Sequence, residues 1–406
     1  MIEKSAVRIL LLDDDPFMLK LLGAMLGGMG FTRATAHTSG RAALDWIDSP
    51  GGAPALILFD LNMPGMDGVE FVRHLVDRCY AGTLILVSGE NERMLQSAES
   101  LVRAHRLTVL GRLQKPFLRE GLYALLDRWA PHPIGKPSVL KRVYSASEVR
   151  AAINHGELLN HYQPKVLVAS AQVEGVEALV RWRHPVDGMV FPDQFIGVAE
   201  EHGLIDDLTG VVLRAALIQA RRWRDKGLAL RMSINVSMDN LASLEFPDFV
   251  AGQAAAAGVS PADVVLEVTE SRLMKDLRTP LEVLARLRLK RFRLSIDDFG
   301  TGHSSLAQLR DFPFDELKVD RGFVHGAYAD ETLRAIYEAS LGLAKQLGMD
   351  IVAEGVEDLD DWDFLRRTGC GMAQGYFIAK PMPADALPGW IQAWAVRVRE
   401  ELCATQ

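Results

Sequence analysis

Leu294-Ser295-Ile296-Asp297-Asp298-Phe299-Gly300-Thr301-Gly302 is a short apolar run that ends in two adjacent carboxylates and a glycine-bearing loop. An apolar run of this length, bounded by turn signals, reads as a strand buried on both faces. The signature recurs outward in both directions. Glu177 lies in Val176–Trp182, Asn235 ends Met232–Asn235, and Glu267 and Glu270 sit in Leu266–Ser271. Lys318 and Asp320 share one face of Glu316–Asp320, and Glu354 follows Ile351–Ala353. The strands expected are Gly175–Trp182, Leu230–Val236, Val264–Val268, Phe292–Ile296, Glu316–Val319, Asp350–Ala353 and Gly375–Ile378, with helical patterns such as Leu213–Trp223 and Thr332–Leu347 between them. Strand–helix units repeated over roughly 250 residues predict a TIM-like (β/α) barrel, in which strand ends line the catalytic face.

Upstream, residues 7–130 alternate in the same way over a shorter span. Val7–Leu12, Ala55–Phe59 and Thr83–Val87 are continuous apolar runs, with helical periodicity between them, as in Phe17–Met25. This alternation predicts a doubly wound parallel sheet, so the whole chain is α/β. Pro131, Pro133, Gly135 and Pro137 then break all periodicity. The expected division is a first domain over 1–130, a Pro-rich linker over 131–144 and a second domain over 145–395. The second should open with a helix capped by Ser145, with Glu148 as the capping-box partner. It should close with an amphipathic helix near Trp390–Val398.

The 406 residues accommodate two or three domains. A hydrophobic fraction of 49% and a charged fraction of 24% are ordinary for a globular protein. With 45 basic and 53 acidic residues the net charge is -8, which argues against non-specific nucleic-acid binding. The two domains also leave no sequence for a DNA-binding module. Cys79, Cys370 and Cys403 are far apart, without metal or redox spacing, and fit a reducing compartment. The apolar stretch Ile9–Leu12 is too short for a signal peptide or a membrane span. A cytoplasmic protein with no membrane partner is the expectation.

In the first domain, Asp13-Asp14-Asp15 follows one strand, Asp60 and Ser88 end others, and Lys115 follows a further apolar stretch. In an open parallel sheet these strand ends share one crevice. Carboxylates gathered there suit Mg²⁺, and Asp60 is a competent phosphoryl acceptor within reach of Ser88 and Lys115. The string Leu58-Phe59-Asp60-Leu61-Asn62-Met63-Pro64-Gly65-Met66-Asp67-Gly68 resembles the phosphorylation loop of response-regulator receiver domains, a resemblance that covers residues 7–128. It implies that Asp60 takes a phosphoryl group from a sensor histidine kinase and that Asp13 and Asp14 hold Mg²⁺ beside it. It also implies that Ser88 and Lys115 read the phosphorylated state. Receivers commonly carry a switch aromatic three residues before the lysine; here Arg112 stands there.

In the second domain, clustered strand-end carboxylates would repel one another and raise their own pKa values unless a cation neutralises them. Oxygen donors with one amide favour Mg²⁺ or Mn²⁺ over zinc. Adjacent Asp297 and Asp298 suit a pair of ions spaced for in-line attack on a phosphate ester, with Lys318 adding positive charge. Tyr162-Gln163-Pro164-Lys165, Glu177-Ala178-Leu179, Asp297–Gly302, Lys318-Val319-Asp320-Arg321, Ala353–Glu357 and Gln374-Gly375-Tyr376 resemble the EAL family of cyclic di-GMP phosphodiesterases, over nearly all of residues 141–395. The resemblance implies metal binding by Glu177, Asn235, Glu267, Asp297 and Asp298, and catalytic roles for Lys318, Glu354 and the loop anchor Glu270. Gln163, Arg181, Asp320 and Gln374 are then the expected substrate-side residues. Gly300 and Gly302 would let the loop close. Where the family loop usually has tyrosine, this chain has His303.

Two functions of different classes follow. One is a phosphorylation-controlled phosphodiesterase that opens cyclic di-GMP to linear pGpG with two divalent ions. The other is an inactive EAL domain serving as a cyclic di-GMP receptor or interaction module, which would be expected to have lost ligands that this chain keeps. Both family resemblances imply a homo-oligomer.

Overall fold

The computed structural model describes residues 4–49, 53–78, 80–90, 92–105, 107–127, 129, 142, 144–269, 278–300, 309 and 312–402. Internal contacts divide the chain into two compact units, Met1–Arg142 and Val143–Gln406. Most of the expected linker lies outside the described residues. No helix among them is long and apolar enough to cross a membrane.

In the first unit β1 (Arg8–Leu12), β2 (Arg33–His37), β3 (Leu56–Asp60), β4 (Thr83–Ser88) and β5 (Thr108–Gln114) form a parallel sheet in the order β2-β1-β3-β4-β5. β3 and β4 are buried along their whole length, which is why their sequences are continuously apolar. Alternate residues feed two cores: Leu10, Ile57 and Phe59 pack with Phe71 on one face, Ile9, Leu11 and Leu58 with Leu22 on the other. Edge strand β2 is half exposed, and its Arg-Ala-Thr-Ala-His sequence carries no apolar run to announce it. The strand order reverses between β1 and β3, and Asp13 and Asp60 emerge at that crevice.

The second unit is a closed barrel. Its strands are β6 (Leu158–Leu167), β7 (Val173–His184), β9 (Arg231–Val236), β10 (Val264–Thr269), β11 (Arg293–Phe299), β12 (Glu316–Val319), β13 (Asp350–Ala353) and β14 (Met372–Ala373). They run β6-β14-β13-β12-β11-β10-β9-β7 and back to β6, while the short β8 (Gly188–Val190) extends the hairpin from β7. Seven ring strands are parallel, and β6 is antiparallel to both of its neighbours. The strand expected at Gly375–Ile378 is instead Met372–Ala373. After Ala373 the chain turns back: Phe377 N–H donates to the Val356 carbonyl and Ile378 N–H to that of Gly375, so these residues close a turn and not a ladder.

The barrel domain opens as expected. Ser145 Oγ accepts from Glu148 N–H at 3.3 Å, and the Glu148 carboxylate accepts from Ser145 N–H at 2.8 Å, capping the helix Ala146–His155. Helices Ile205–Asp225 and Glu331–Leu347 extend the expected patterns, and Leu387–Arg397 is the amphipathic helix near the end.

Candidate active site and phosphoacceptor pocket

In the first unit, Asp13 leaves β1 buried, and Asp60 ends β3 nearly so. Lys115, just beyond β5, reaches both, with Nζ 2.7 Å from a carboxylate oxygen of each. Burial pushes the Asp13 carboxyl above its ordinary range, against the lowering pull of Lys115. Asp13, Asp14 and Asp60 each turn an oxygen to one point, within 4.8 Å of one another. Ser88 Oγ, fully buried at the end of β4, accepts from Glu90 N–H. The anticipated pocket is thus assembled. Arg112 faces the helix Glu92–Ala104, where its guanidinium meets Glu99 at 2.9 Å; Arg103 binds the same carboxylate at 2.7 Å.

In the second unit, Lys318 is buried in the barrel mouth within 2.5 Å of Glu354, 2.7 Å of Glu267, 2.9 Å of Asp297 and 3.6 Å of Glu177. Those residues come from β12, the end of β13, β10, β11 and β7, so the ring closure itself gathers them. Asp297 and Asp298 are consecutive, and in a regular strand they would face opposite ways. The β11–β12 register shifts between Ile296 and Phe299, and Asp298 sits at φ +55°, a left-handed conformation that aspartate tolerates better than most residues. The bulge brings an oxygen of each, and one of Glu354, within 4.8 Å of one another.

Glu177 is set by two amides: Asn235 Nδ2 donates to one oxygen at 2.7 Å, and Gln374 Nε2 to the other at 2.7 Å. Gln374 also donates to Gln163 Oε1, and Gln163 donates to the Ala379 carbonyl. The mouth cavity, about 270 Å³, is lined by Gln163, Glu177, Leu179, Asp297, Lys318, Arg321, Glu354, Glu357, Gln374 and Tyr376 among others. Arg181 lies outside this lining, donating to the Val180 carbonyl with its guanidinium over the Phe191 ring. Asp320 caps the turn after β12 by accepting from Gly322 N–H. Glu270, Gly302 and His303 lie outside the described residues.

Electrostatics set the site's chemistry. Burial, with repulsion from neighbouring carboxylates, raises Asp298 to about 6 and, despite Lys318, Glu354 to about 8; Glu177 is raised for the same reasons. Burial acts on Glu267 too, but Lys165 and Lys318 outweigh it and hold it at about 2. Six acids, Glu177, Glu267, Asp297, Asp298, Glu316 and Glu354, surround two ammonium groups, so acidic groups outnumber the cations. The buried Gln374 Oε1 has no partner among the described residues. Hard oxygen donors with surplus negative charge fit Mg²⁺ or Mn²⁺.

Sequence reading passed over two charged residues here, Lys165 and Glu316. Their signal was present: Lys165 leads directly into the apolar Val166-Leu167-Val168, and Glu316 alternates with Leu317 and Val319 on the face it shares with Lys318.

A doubly wound module with an acidic strand-end pocket and a barrel with a carboxylate-lined mouth define the class, and comparison with known proteins gives the family. The EAL domain family model matches residues 146–381, and that of the response regulator receiver domain matches 9–127. The chain is 32% identical over 379 residues to the cyclic di-GMP phosphodiesterase RocR of Pseudomonas aeruginosa, covering 93% of this chain and 96% of that protein. It is 43% identical over 256 residues to an uncharacterized signaling protein of Caulobacter vibrioides; that match covers 63% of this chain and only 31% of the longer relative. Among solved structures, the PaMucR phosphodiesterase in complex with c-di-GMP superposes with a TM-score of 0.57 at 40% identity, over 59% of this chain and 98% of that one. The chain belongs to the EAL domain family and carries a response-regulator receiver domain ahead of its barrel.

Proposed function

We propose that this response regulator is a cyclic di-GMP phosphodiesterase, whose barrel opens the cyclic dinucleotide to linear pGpG with two divalent cations, under control of a phosphoryl group on Asp60. The observation that carries the reading is Lys318, a buried cation ringed by Glu177, Glu267, Asp297 and Glu354 at the mouth of a closed barrel.

Divalent ions, when bound, supply Lewis-acid charge to the scissile phosphate and its attacking water. Glu177, Asn235, Glu267, Asp297 and Asp298 are the groups that would hold them, with Glu354 beside them. Lys318 presents a fixed positive charge to the charge that develops on phosphate. Glu354, 2.5 Å from Lys318, is placed either to hold an ion or, once ionised, to take the proton of the attacking water. Gln163 and Gln374 hold Glu177 in register, and Arg181 and Asp320 flank the mouth as contacts for the substrate. RocR, similar over nearly its whole length, bears the phosphodiesterase name, which supports the same activity here.

The alternative of an inactive receptor is not favoured, since the described ligands and Lys318 are all retained and converge. The test is turnover of cyclic di-GMP by the purified chain with Mg²⁺ or Mn²⁺, followed by chromatography. Wild type should yield pGpG and Asp297→Asn almost none. Tight binding by wild type without turnover would refute the enzymatic reading.

A further inference from the structure

Beneath the mouth, the barrel interior holds an ionic layer. The register sets Glu267 of β10 opposite Ser295 of β11, and Ser295 opposite Glu316 of β12, three neighbouring strands in one row. Lys165 enters from β6, on the far side of the ring, and its Nζ lies 2.6 Å from Glu267 Oε1 and 3.0 Å from Glu316 Oε1. All three residues are buried, with Glu267 at 0% exposure. Barrel interiors are ordinarily filled with branched apolar side chains. A buried ion pair can often be replaced by apolar residues without loss of stability, so packing alone does not call for this one.

The two oxygens of Glu267 are treated differently. Oε1 faces down to Lys165; Oε2 faces Lys318 at 2.7 Å, toward the mouth. A carboxylate with one oxygen tied cannot swing to present both. Partners behind a ligand fix its orientation in this way, and their loss typically weakens metal binding by about 10–100-fold.

We propose that Lys165, braced by Glu316, is a positioning residue that pins Glu267 Oε1 and leaves Oε2 as the single oxygen offered to the metal-binding mouth. This rests on the phosphodiesterase reading above. Lys165 touches neither substrate nor reacting atoms; it acts through Glu267. Glu316 keeps the ammonium centred, so that Lys165 neutralises Glu267 from below while Lys318 spans Glu267 Oε2, Asp297 and Glu354 at the mouth.

The test uses the full chain, stripped of metal with chelator. Lys165→Met would leave Glu267 and Glu316 buried without their cation and risks misfolding. Lys165→Met/Glu316→Gln removes one charge of each sign and preserves shape. Melting of the stripped proteins reports the fold, and calorimetric titration with Mn²⁺ reports the site independently of turnover. The double variant should melt near wild type yet bind Mn²⁺ about 10–100-fold more weakly. With Mn²⁺ limiting, its kcat should fall while KM for cyclic di-GMP changes little. Glu316→Gln alone keeps the Lys165–Glu267 bond and should lose clearly less Mn²⁺ affinity than the double variant. A folded double variant with wild-type Mn²⁺ affinity overturns the proposal, as does an equal loss in Glu316→Gln. Wild type that neither binds Mn²⁺ nor hydrolyses cyclic di-GMP would overturn the functional reading and this one together. Mn²⁺ binding that survives in the double variant overturns this one alone.

Discussion

Gly375 can be tested as a spacer. A Cβ built there would lie 2.2 Å from the Val356 carbonyl oxygen and 2.3 Å from its nitrogen. Ordinary contact begins at 3.4 Å, so in Gly375→Ala the two segments must part by about 1.2 Å. Both segments carry functional groups: Gln374 immediately precedes the glycine, and Glu354 lies two residues before Val356. They are joined by Val356 N–H donating to the Gln374 carbonyl at 3.2 Å and Phe377 N–H to the Val356 carbonyl at 2.9 Å, so neither can yield alone. A displacement near 1 Å at catalytic groups costs about 100-fold in rate. Overpacking of this kind should also cost about 1–3 kcal/mol of stability, which leaves the domain folded. The assay is initial-rate hydrolysis of cyclic di-GMP at saturating metal, with melting by circular dichroism. Gly389→Ala is the control. It lies in the helix Leu387–Arg397 with nothing within 4 Å of its new Cβ, and should keep full activity while gaining up to about 1 kcal/mol. Wild-type turnover and melting by Gly375→Ala would refute the spacer argument.

Three further outcomes are expected. At pH 7 Glu354, held at about 8, is mostly protonated and Asp298, at about 6, mostly ionised, so loading the stripped protein with Mn²⁺ should release about one proton, and affinity should rise with pH toward 8. Calorimetry in buffers of different ionisation enthalpy measures this, and binding without proton release would contradict it. For His325, burial opposes the charged ring, but the hydrogen bond its Nδ1 donates to Asp361 at 2.8 Å and the charges of Asp361, Glu357 and Asp358 outweigh it and raise its pKa. A pKa raised in the folded state gives stability that is complete below about 6.5 and lost as pH climbs through the folded value, so wild type should lose stability relative to His325→Gln across that window, and parallel curves would count against the pairing. Beryllofluoride should change the hydrolysis rate of wild type and not of Asp60→Asn; equal rates in all samples would separate the receiver from catalysis.

What was legible in the sequence follows from what each residue had to satisfy. β3, β4 and β13 are buried on both faces and therefore spell themselves largely as apolar runs, whereas β12, Glu316-Leu317-Lys318-Val319, is as fully buried but carries two charges. The helix cap at Ser145 is a local hydrogen-bond pattern and could be read directly. β6 was quoted as a motif but not as a strand, because Asn160, His161, Gln163, Pro164 and Lys165 interrupt any alternation; Gln163 and Lys165 face a polar interior that only the closed ring creates, while Asn160 bonds outward to the Val212 carbonyl of a flanking helix. The shift of the last ring strand from Gly375–Ile378 to Met372–Ala373 has a similar cause. In the later segment Gly375 abuts Val356, Tyr376 is exposed and the Phe377 ring lies by Trp362, so its aromatic content serves a turn held by long-range contacts invisible to local pattern. Both orders of acids were found because strand ends in α/β folds gather by rule. The bulge at Asp297–Asp298, which turns neighbours to one face, could not have been read.

The ring has one thin join. β6 meets β7 along nearly its whole length, from Leu158–Trp182 to Val166–Val173, but meets β14 only through Leu167–Met372 and Val166–Ala373. Beside this join, Val168 N–H donates to the Gly371 carbonyl, and Tyr162 and Met382 exchange backbone bonds at 2.7 and 3.0 Å. The next rung is made of side chains, Gln374 to Gln163. A cylinder breathes where it is least stitched, so amide exchange in the native barrel should run fastest along this line. The glutamines that shape the mouth are also the stitches, and anything that settles on them should slow the breathing. At this line, holding a ligand and keeping the cylinder shut would be one mechanical event.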